Sequence, residues 1–467
     1  MKNTEKFFWG SSTASYQCEG AWNEDGKAEG MWDTYLHENN YENGDVASDH
    51  YHHYEEDIRL LAESNQNAYR FSLSWPRIIK NRNGEINTKG IDHYNKVIDT
   101  CIKYDVEPFV TIYHYDLPQY WEEVGGWLNP DICEAYLHYA NTCFEAFGDR
   151  VTFWATFNEP KYISIHPYLI GNYPPEHHSV PETMLSSFHV MYASALATRD
   201  YRAKGYQGKI GMVHSWNPVE GIDDSIETQI AMRHADNFYN NWVLDTAVFG
   251  EFPIDLVTTL SKEYDISFMT PEKLRIIKNN TVDWIGLNYY YRALVKPYVE
   301  GETMLSVNNA GKSKKNSTSV QIKGWFTQYM DPKGVFTDWD FEIIPQSMKS
   351  GLIHQSKKYN VPIYVTENGV GCYEELNENK IEDTYRIEFM NDHIAALIQA
   401  QKAGADVRGY FAWSTFDIYS WKNGHEKRYG LVGVDFNTLK RYPKASYYWY
   451  KEMIKANAST IDHSNIK

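Results

Sequence analysis

Two glutamates stand directly after apolar, strand-like runs of the sequence: Glu159 in WATFNEP and Glu367 in IYVTENG. Burying a carboxylate costs on the order of several kcal/mol unless it is paired, so stability alone does not explain either residue. Two carboxylates that face each other across a small pocket suit glycosidic bond cleavage, in which one acts as acid and the other as nucleophile or base. The alternative interpretation of each glutamate by itself is one half of a structural ion pair.

Other strand-like runs also end in polar or aromatic side chains that packing does not require: Gln17, Arg70, His114, Asn158, Asn288, Tyr290 and Trp413. Arg70 and the Tyr290 hydroxyl are expected to keep Glu367 ionised. Glu159, which would face that charge in an apolar setting, should have a raised pKa and be protonated, as a general acid must be. For His114 considered alone, the alternative is a histidine in the core whose ring nitrogens are hydrogen-bonded within the protein.

Eight apolar, β-rich runs could position these residues, and patterns with helical periodicity separate them. The runs begin at residues 7, 68, 107, 153, 209, 283, 362 and 407. Eight strand–helix units predict an α/β fold, a (β/α)₈ barrel with long βα loops whose C-terminal strand ends meet on one face. Such barrels often exceed roughly 400 residues, so residues 1–467 are expected to form one domain.

A doubly wound open sheet is the structural alternative to the barrel. It would usually carry a glycine-rich phosphate motif after its first strand, and SSTASYQCEG does not have that spacing. Between the strands, Ile91, Tyr94, Ile98 and Ile102 repeat at helical spacing, and the polar tract 300–320 is predicted to be a long surface loop.

The composition limits partners and compartment. A formal net charge of −17 disfavours binding to nucleic acid or anionic membranes, and an anionic substrate would need a compact basic cluster. The first 17 residues lack a signal-like apolar core, and no run approaches the length of a membrane span. Five cysteines without metal-like spacing suit a reducing compartment, so a cytoplasmic protein is expected. A homodimer remains open.

The cluster ASDHYHHYEED could instead suggest a metal site, because His50 and His53 would share a helical face with Asp49 and His52 close by. The cluster precedes the second strand, away from the predicted mouth of the barrel. A structural role is therefore favoured, with no metal and no cofactor.

Seven segments match, in order, motifs of a known family: SYQCEGAWNEDGK (15–27), YRFSLSWPRI (69–78), TIYHYDLPQYW (111–121), TFNEP (156–160), GLNYYY (286–291), VTENG (365–369) and GYFAWSTFD (409–417). Over nearly its full length the chain resembles the family 1 glycoside hydrolases. The resemblance implies a metal-free, retaining mechanism with Glu159 as acid/base and Glu367 as nucleophile. It also implies that Gln17, His114 and Asn158 bind sugar hydroxyls, Asn158 the 2-hydroxyl, and that Trp413 forms an apolar floor.

The segment after the eighth strand departs from members that hydrolyse unphosphorylated glucosides, since Ser420 occupies the position of a glutamate that binds outer sugar hydroxyls. Beyond the predicted Asn423-Gly424 turn, Lys427 and Tyr429 would project to the same side of an extended stretch. Together with Ser420 they would form an anion site, and the triplet resembles the phosphate site of the 6-phospho-β-glycosidases of this family. The alternative is a solvated Lys427–Arg428 pair beside a core tyrosine.

Trp421 resembles a residue of the 6-phospho-β-galactosidases, in which the indole N–H can serve an axial 4-hydroxyl, whereas AWNEDGK and the intact NEP favour 6-phospho-β-glucosidases. The expected substrate is a phosphorylated disaccharide or aryl glycoside, of the galacto type first and the gluco type as well. Three alternatives stay open: mainly 6-phospho-β-glucosidase activity, an unphosphorylated β-glucosidase or β-galactosidase, and a non-catalytic sugar-phosphate binding protein. The last would typically have lost Glu159 or Glu367. Phe341 is expected either beside the leaving group or in the core.

Overall fold

In the computed structural model, which describes residues 6–308, 311, 318–374 and 381–466, eight parallel strands close into a barrel. They are labelled β1 to β8 in chain order: Phe8–Ser12, Ala68–Ser72, Glu107–Tyr113, Phe153–Asn158, Lys209–Trp216, Trp284–Tyr289, Ile363–Asn368 and Val407–Trp413. Each strand pairs with the next, and β1 pairs with β8 from Phe8 opposite Gly409 to Ser12 opposite Trp413. The predicted (β/α)₈ barrel is confirmed.

Large side chains fill the N-terminal half of the barrel. The rings of Phe109 and Phe153 stack with centroids 4.2 Å apart, and Tyr364 and Phe411 pack against them. Because side chains alternate along a strand, each strand contributes further inward-facing residues nearer its C-terminal end. There the inward residues are polar, so that end of the barrel is free to bind a ligand.

Helices surround the barrel and also cross its rim. The longest helix between successive strands, or after β8, is in turn His50–Glu63, Thr88–Lys103, Ile132–Phe147, Val180–Ala203, Ile226–Asp236, Pro345–Tyr359, Thr384–Lys402 and Ala445–Lys455. The others are Ser15–Cys18, Met31–Glu38, Trp75–Ile78, Gln119–Glu122, Pro160–Ile165, Trp242–Phe249, Ile254–Leu260 and Pro271–Asn279, with π-helical turns His166–Ile170 and Asn237–Asn241 and 3₁₀ turns Gly126–Leu128 and Trp421–Asn423.

The apolar stripe predicted from residue 91 to residue 102 lies on the second of these helices. Tyr94 and Ile98 are buried, but Ile102 is 48% exposed because Cys101 occupies the inner face at that turn.

The polar tract 300–320 is not simply a loop, so this prediction is wrong in part. Met304–Ser306 and Ser319–Ile322 pair as antiparallel strands in a sheet with Phe326–Gln328, Ala293–Lys296 and Val219–Gly221. Apolar residues within the tract, among them Leu305 and Val320, pack on one side of that sheet. Residues 309–310 and 312–317 lie outside the described part of the chain. A further antiparallel pair joins Val432–Val434 to Arg441–Pro443.

Candidate active site

Glu367 lies near the end of β7, in contact with one positive charge and one hydroxyl. The Arg70 guanidinium, from β2, donates to Glu367 Oε1 across 2.6 Å, and the Tyr290 hydroxyl donates to Oε2 across 2.8 Å. Both acids and their arginine are almost completely buried. A charge-assisted contact of this kind favours the ionised carboxylate, as the sequence predicts.

Glu159 follows β4, and the described residues that donate hydrogen bonds to it are both neutral. Asn288 Nδ2, from β6, donates to its Oε1 across 2.8 Å, and the Tyr115 hydroxyl donates to its Oε2. Glu159 has a left-handed backbone with φ of 47°, and a Val213 carbonyl accepts its N–H. This turn lets Asn158 and Glu159 both lie at the mouth of the barrel, although they are consecutive residues.

Burial raises the pKa of both acids, and the charge of Glu159 raises that of Glu367 further. Arg70 lowers the pKa of Glu367 through a direct ion pair, whereas Tyr115 and Asn288 give Glu159 only neutral hydrogen bonds. Two neighbouring carboxylates repel each other, so their protonation is coupled, and one proton bound to either of them removes the repulsion. The direct ion pair therefore favours the negative charge on Glu367 and the proton on Glu159.

Asn158 connects the two acids beneath the pocket. Its Oδ1 accepts hydrogen bonds from Arg70, across 2.7 Å, and from Asn288, across 3.1 Å. Its Nδ2 contacts His114 Nε2 at 3.0 Å and donates to the Tyr115 hydroxyl at 3.1 Å. Both halves of this amide are thus engaged by protein groups, and a sugar 2-hydroxyl would have to replace one of these partners.

Gln17, His114 and Trp413 lie together on another wall. The Trp413 ring is nearly parallel to that of His114, with centroids 6.1 Å apart. Gln17 donates to the Tyr419 carbonyl across 2.9 Å, while its Oε1 and His114 Nδ1 are buried without a partner among the described groups. Buried polar atoms are usually paired, and both residues line the pocket, so the two atoms are available to form hydrogen bonds with a ligand bound there.

Ser420, Lys427 and Tyr429 converge in the same pocket, as the sequence predicts. Lys427 is 5% exposed, and its ammonium lies 4.2 Å from the centre of the Trp339 ring and 5.3 Å from that of Tyr429. No carboxylate of the described chain forms an ion pair with it, and burial lowers the pKa of Lys427 to about 7. A buried cation without a counter-ion is costly, and a bound anion would remove that cost.

Buried ionic contacts fix the backbone of this cluster. Arg386 donates to the Tyr429 carbonyl across 3.0 Å and to the Val370 carbonyl across 2.6 Å. Asp417 Oδ1 accepts from the backbone N–H of Gly430 and from Lys444, each across 2.9 Å. These bonds join the segment around Tyr429 to the ends of β7 and β8.

Trp421 and Phe341 complete the rim. Trp421 stacks on Tyr16 with an interplanar angle of 6° and a centroid distance of 5.6 Å. Phe341 is half-buried and stacks on Tyr291, so it lines the pocket instead of joining the core.

Eleven of the thirteen predicted site residues line one open pocket, and Arg70 and Asn158 lie beneath it. A larger cavity, lined mostly by apolar side chains such as Leu260 and Trp325, contains none of them. Because it lacks paired acids, we assign the chemistry to the smaller pocket.

The sequence-based set omits Tyr115 and Asn423, which line the pocket, and also Trp339 and Lys161, which contact residues that line it. Trp339 Nε1 donates to Asn423 Oδ1 across 2.7 Å, which fixes the ring against Lys427. The sequence signals available were the position of Tyr115 directly after His114 and that of Lys161 two residues after Glu159.

The histidine-rich segment at residues 49–53 lies on the outside of the barrel. His50 contacts Asp57 across 2.8 Å, and Asp57 also forms an ion pair with Arg441. His52 contacts Asp49 across 2.6 Å. Within the described ranges, no group of three or more histidine, cysteine or acidic residues has the geometry of a metal site.

A model of glycosyl hydrolase family 1 matches residues 2–459. The chain belongs to this family. This family 1 glycoside hydrolase is 38% identical to a 6-phospho-beta-galactosidase of Clostridium acetobutylicum, with 99% of both chains covered. It is 34% identical to the aryl-phospho-beta-D-glucosidase BglC of Bacillus subtilis, with 97% of this chain and 98% of that one covered.

Solved structures of the family have the same fold. The beta-glucosidase of Exiguobacterium antarcticum superposes with a TM-score of 0.88 at 31% identity, covering 99% of this chain and all of that one. The beta-glucosidase of Thermotoga maritima in complex with glucoimidazole gives 0.86 at 33% identity, covering 97% and 98%. Among the described helices of this glycoside hydrolase, none combines the length and apolar character of a membrane span.

Proposed function

We propose that this enzyme hydrolyses 6-phospho-β-glycosides with retention of the anomeric configuration, galactosides first and glucosides as well. The observation that carries the proposal is the buried Lys427 ammonium, which lacks a carboxylate partner among the described residues and lies in the same pocket as the paired acids. A pocket with two acids for the glycosidic bond and a cation for a remote anion suits a phosphorylated sugar.

In the proposed mechanism, Glu367 attacks the anomeric carbon while Glu159 donates its proton to the glycosidic oxygen, and the aglycone leaves as an alcohol. The covalent glycosyl-enzyme then reacts with water, which gives its proton to Glu159 as its oxygen displaces Glu367. Two inversions at one carbon give net retention. Arg70 and Tyr290 would keep Glu367 anionic before the attack, and Asn288 would orient Glu159.

The polar atoms of Gln17 and His114 that lack partners would bind sugar hydroxyls, with Trp413 beneath the ring. Ser420, Lys427 and Tyr429 would bind the 6-phosphate, to which serine adds a donor without a repelling charge. Trp421 supports the galacto preference, and the likeness to the BglC enzyme supports activity on the gluco epimer. A phosphorylated substrate implies a cytoplasmic site of action.

Four chromogenic substrates test this function: the β-galactoside and the β-glucoside, each with and without a 6-phosphate. We expect both phosphorylated substrates to be hydrolysed with higher kcat/KM than their unphosphorylated counterparts, and the galactoside faster than the glucoside. Comparable or faster turnover of the unphosphorylated pair would contradict the phosphate site. A faster phosphoglucoside would contradict only the galacto preference.

Replacing Lys427 by methionine should raise KM for the phosphorylated galactoside by about 10²-fold, since one charge contact in a shielded site contributes roughly 3 kcal/mol. Burial lowers the pKa of Lys427 to about 7 in the empty pocket, so in the wild type KM should increase as the pH rises above that value and the ammonium loses its proton. The methionine variant should lack this increase.

Lys422→Met is the matched control, because Lys422 lies in the same loop with its ammonium 2.9 Å from Glu176. Its KM should remain close to wild type. An equal change of KM in both variants would indicate a general effect of charge on the loop.

A further inference from the structure

Lys161 is a buried lysine directly beyond the proposed acid/base. It is the second residue of the helix Pro160–Ile165, which begins after Glu159, and it is 8% exposed. Its ammonium donates to the Ser215 carbonyl across 3.0 Å and to Asn217 Oδ1 across 2.8 Å. Both acceptors are uncharged, and no carboxylate of the described chain forms a direct ion pair with Lys161.

The lysine and Glu159 belong to one group of contacts. Ser215, whose carbonyl accepts from Lys161, lies beside Asn288 in the pairing of β5 with β6. Asn288 in turn donates to Glu159 Oε1 across 2.8 Å. Ser215 and Asn217 line the pocket together with Glu159, whereas Lys161 itself lines the larger, mostly apolar cavity. Its ammonium therefore reaches the pocket residues through Ser215 and Asn217 without lining the pocket.

We propose that Lys161 is a positioning residue that controls the charge state of Glu159 and thereby sets the alkaline limit of glycoside hydrolysis. The proposal rests on the acid/base role of Glu159 in the proposed function. Glu159 must give up a proton and later take one back, so its ionised form cannot be much less stable than its protonated form. An adjacent ammonium stabilises that anion where burial alone would make it too costly.

The two groups influence each other in the expected directions. Burial raises the pKa of Glu159, and the charge of Lys161 acts against that effect. Burial lowers the pKa of Lys161 to about 7, and the charge of Glu159 acts against that effect in turn. Without the ammonium, the effect of burial would raise the pKa of Glu159 further, so Glu159 would keep its proton to higher pH.

Other titratable groups surround this pair and stay unchanged in the test. Facing Glu159 from neighbouring elements are Arg70, His114, Tyr115, Tyr162, Tyr173, Tyr290, Tyr291 and Glu367. Facing Lys161 are His166, His214 and Tyr239. Burial lowers the pKa of both His166 and His214 to about 3, so these two rings remain neutral across the range of the experiment.

The experiment measures kcat at saturating substrate against pH for wild type, Lys161→Met, Lys161→Gln and Lys161→Arg, because kcat/KM would also fall as Lys427 loses its proton. Its substrate is an alkyl 6-phospho-β-galactoside, whose leaving group needs the proton of the acid. The methionine and glutamine variants should move the alkaline limb to higher pH, and arginine should keep it near wild type. Glutamine retains an N–H for Ser215 or Asn217, so it carries the test if methionine impairs folding.

Lys358→Met is the matched control for total charge, because Lys358 lies near the C-terminal end of Pro345–Tyr359 and pairs with Asp245 across 2.8 Å. The leaving group of a 2,4-dinitrophenyl glycoside departs as an anion and needs no proton. For this substrate, the alkaline limb of the first step should be the same in wild type and in the Lys161 variants. A uniform loss of activity in Lys161→Met and Lys161→Gln with an unmoved limb would overturn the inference.

Glu159→Gln separates this inference from the proposed function. If that variant keeps near wild-type turnover of the alkyl glycoside with its alkaline limb intact, Glu159 is not the acid and the proposed function fails. If Glu159→Gln abolishes turnover while the neutral Lys161 variants keep the wild-type limb, only the role of Lys161 fails.

Discussion

Replacing Glu367 by glycine should lower kcat/KM for 6-phospho-β-galactosides by at least about 10⁴-fold, the usual cost of removing one member of a covalent catalytic unit. The reason lies in its contacts: Arg70 and Tyr290 orient two oxygens of a buried anion that no neighbouring group replaces. Rates with an activated aryl leaving group, with the protein's melting temperature as a check of folding, measure the effect.

Added azide identifies the role of each glutamate. In Glu367→Gly, azide can enter the space of the lost carboxylate and attack the opposite face from the aglycone, which gives an α-glycosyl azide. In Glu159→Ala the covalent intermediate still forms, and azide replaces water to give a β-glycosyl azide. Exchanged products would mean that the two roles are reversed.

Glu263→Gln provides the matched control for these variants, because Glu263 is an exposed glutamate outside the pocket. Its rate should equal that of wild type. Near wild-type hydrolysis by Glu367→Gly itself would contradict the nucleophile assignment.

Replacing Ser420 by glutamate should lower kcat/KM for phosphorylated substrates several hundredfold or more and leave unphosphorylated ones much less affected. Ser420 is 6% exposed and lines the pocket with Lys427 and Tyr429. A carboxylate about 4 Å from a phosphate repels it by roughly 4 kcal/mol per unit charge at an effective dielectric constant of 20. The added anion would also form an ion pair with Lys427 and occupy the site.

Ser420→Gln is the control of equal size without charge. Glutamine should cost phosphorylated substrates far less than glutamate does, because it blocks space but does not repel. Equal losses in the two variants, or equal losses on both substrate types, would indicate a steric effect and contradict a phosphate at Ser420.

The strand pattern predicted the barrel, and the polar strand ends supplied seven of the eleven predicted residues that line the pocket. The other four, Ser420, Trp421, Lys427 and Tyr429, came from the segment after the eighth strand and its resemblance to the 6-phospho-β-glycosidases. The sequence could not predict departures from simple alternation. Tyr113 points outward, where its hydroxyl accepts from Trp127, and Tyr115 should follow it by alternation. A left-handed backbone at Tyr115, with φ of 73°, instead turns its hydroxyl toward Glu159.

Long-range contacts were also hidden from sequence patterns. Trp339 lies against Lys427, 88 residues further along, and nothing in the residues next to Trp339 indicates that contact. The tract 300–320 looks like a loop because polar residues outnumber the few apolar ones, yet it contributes two short strands whose Leu305 and Val320 pack on one side of the sheet. In both places packing between distant segments outweighs local composition.

Closure of the barrel between β1 and β8 has a consequence for synthesis of the chain. Phe8 pairs with Gly409, and Gln17 donates to the Tyr419 carbonyl. The first strand therefore lacks one of its two neighbouring strands until most of the chain has been synthesised. At about 5–20 residues per second, the ribosome needs roughly 20 to 90 s to reach Tyr429. Until β8 is made, the pocket also lacks Ser420, Lys427 and Tyr429. We therefore expect the nascent chain to be inactive until its last seventh is made.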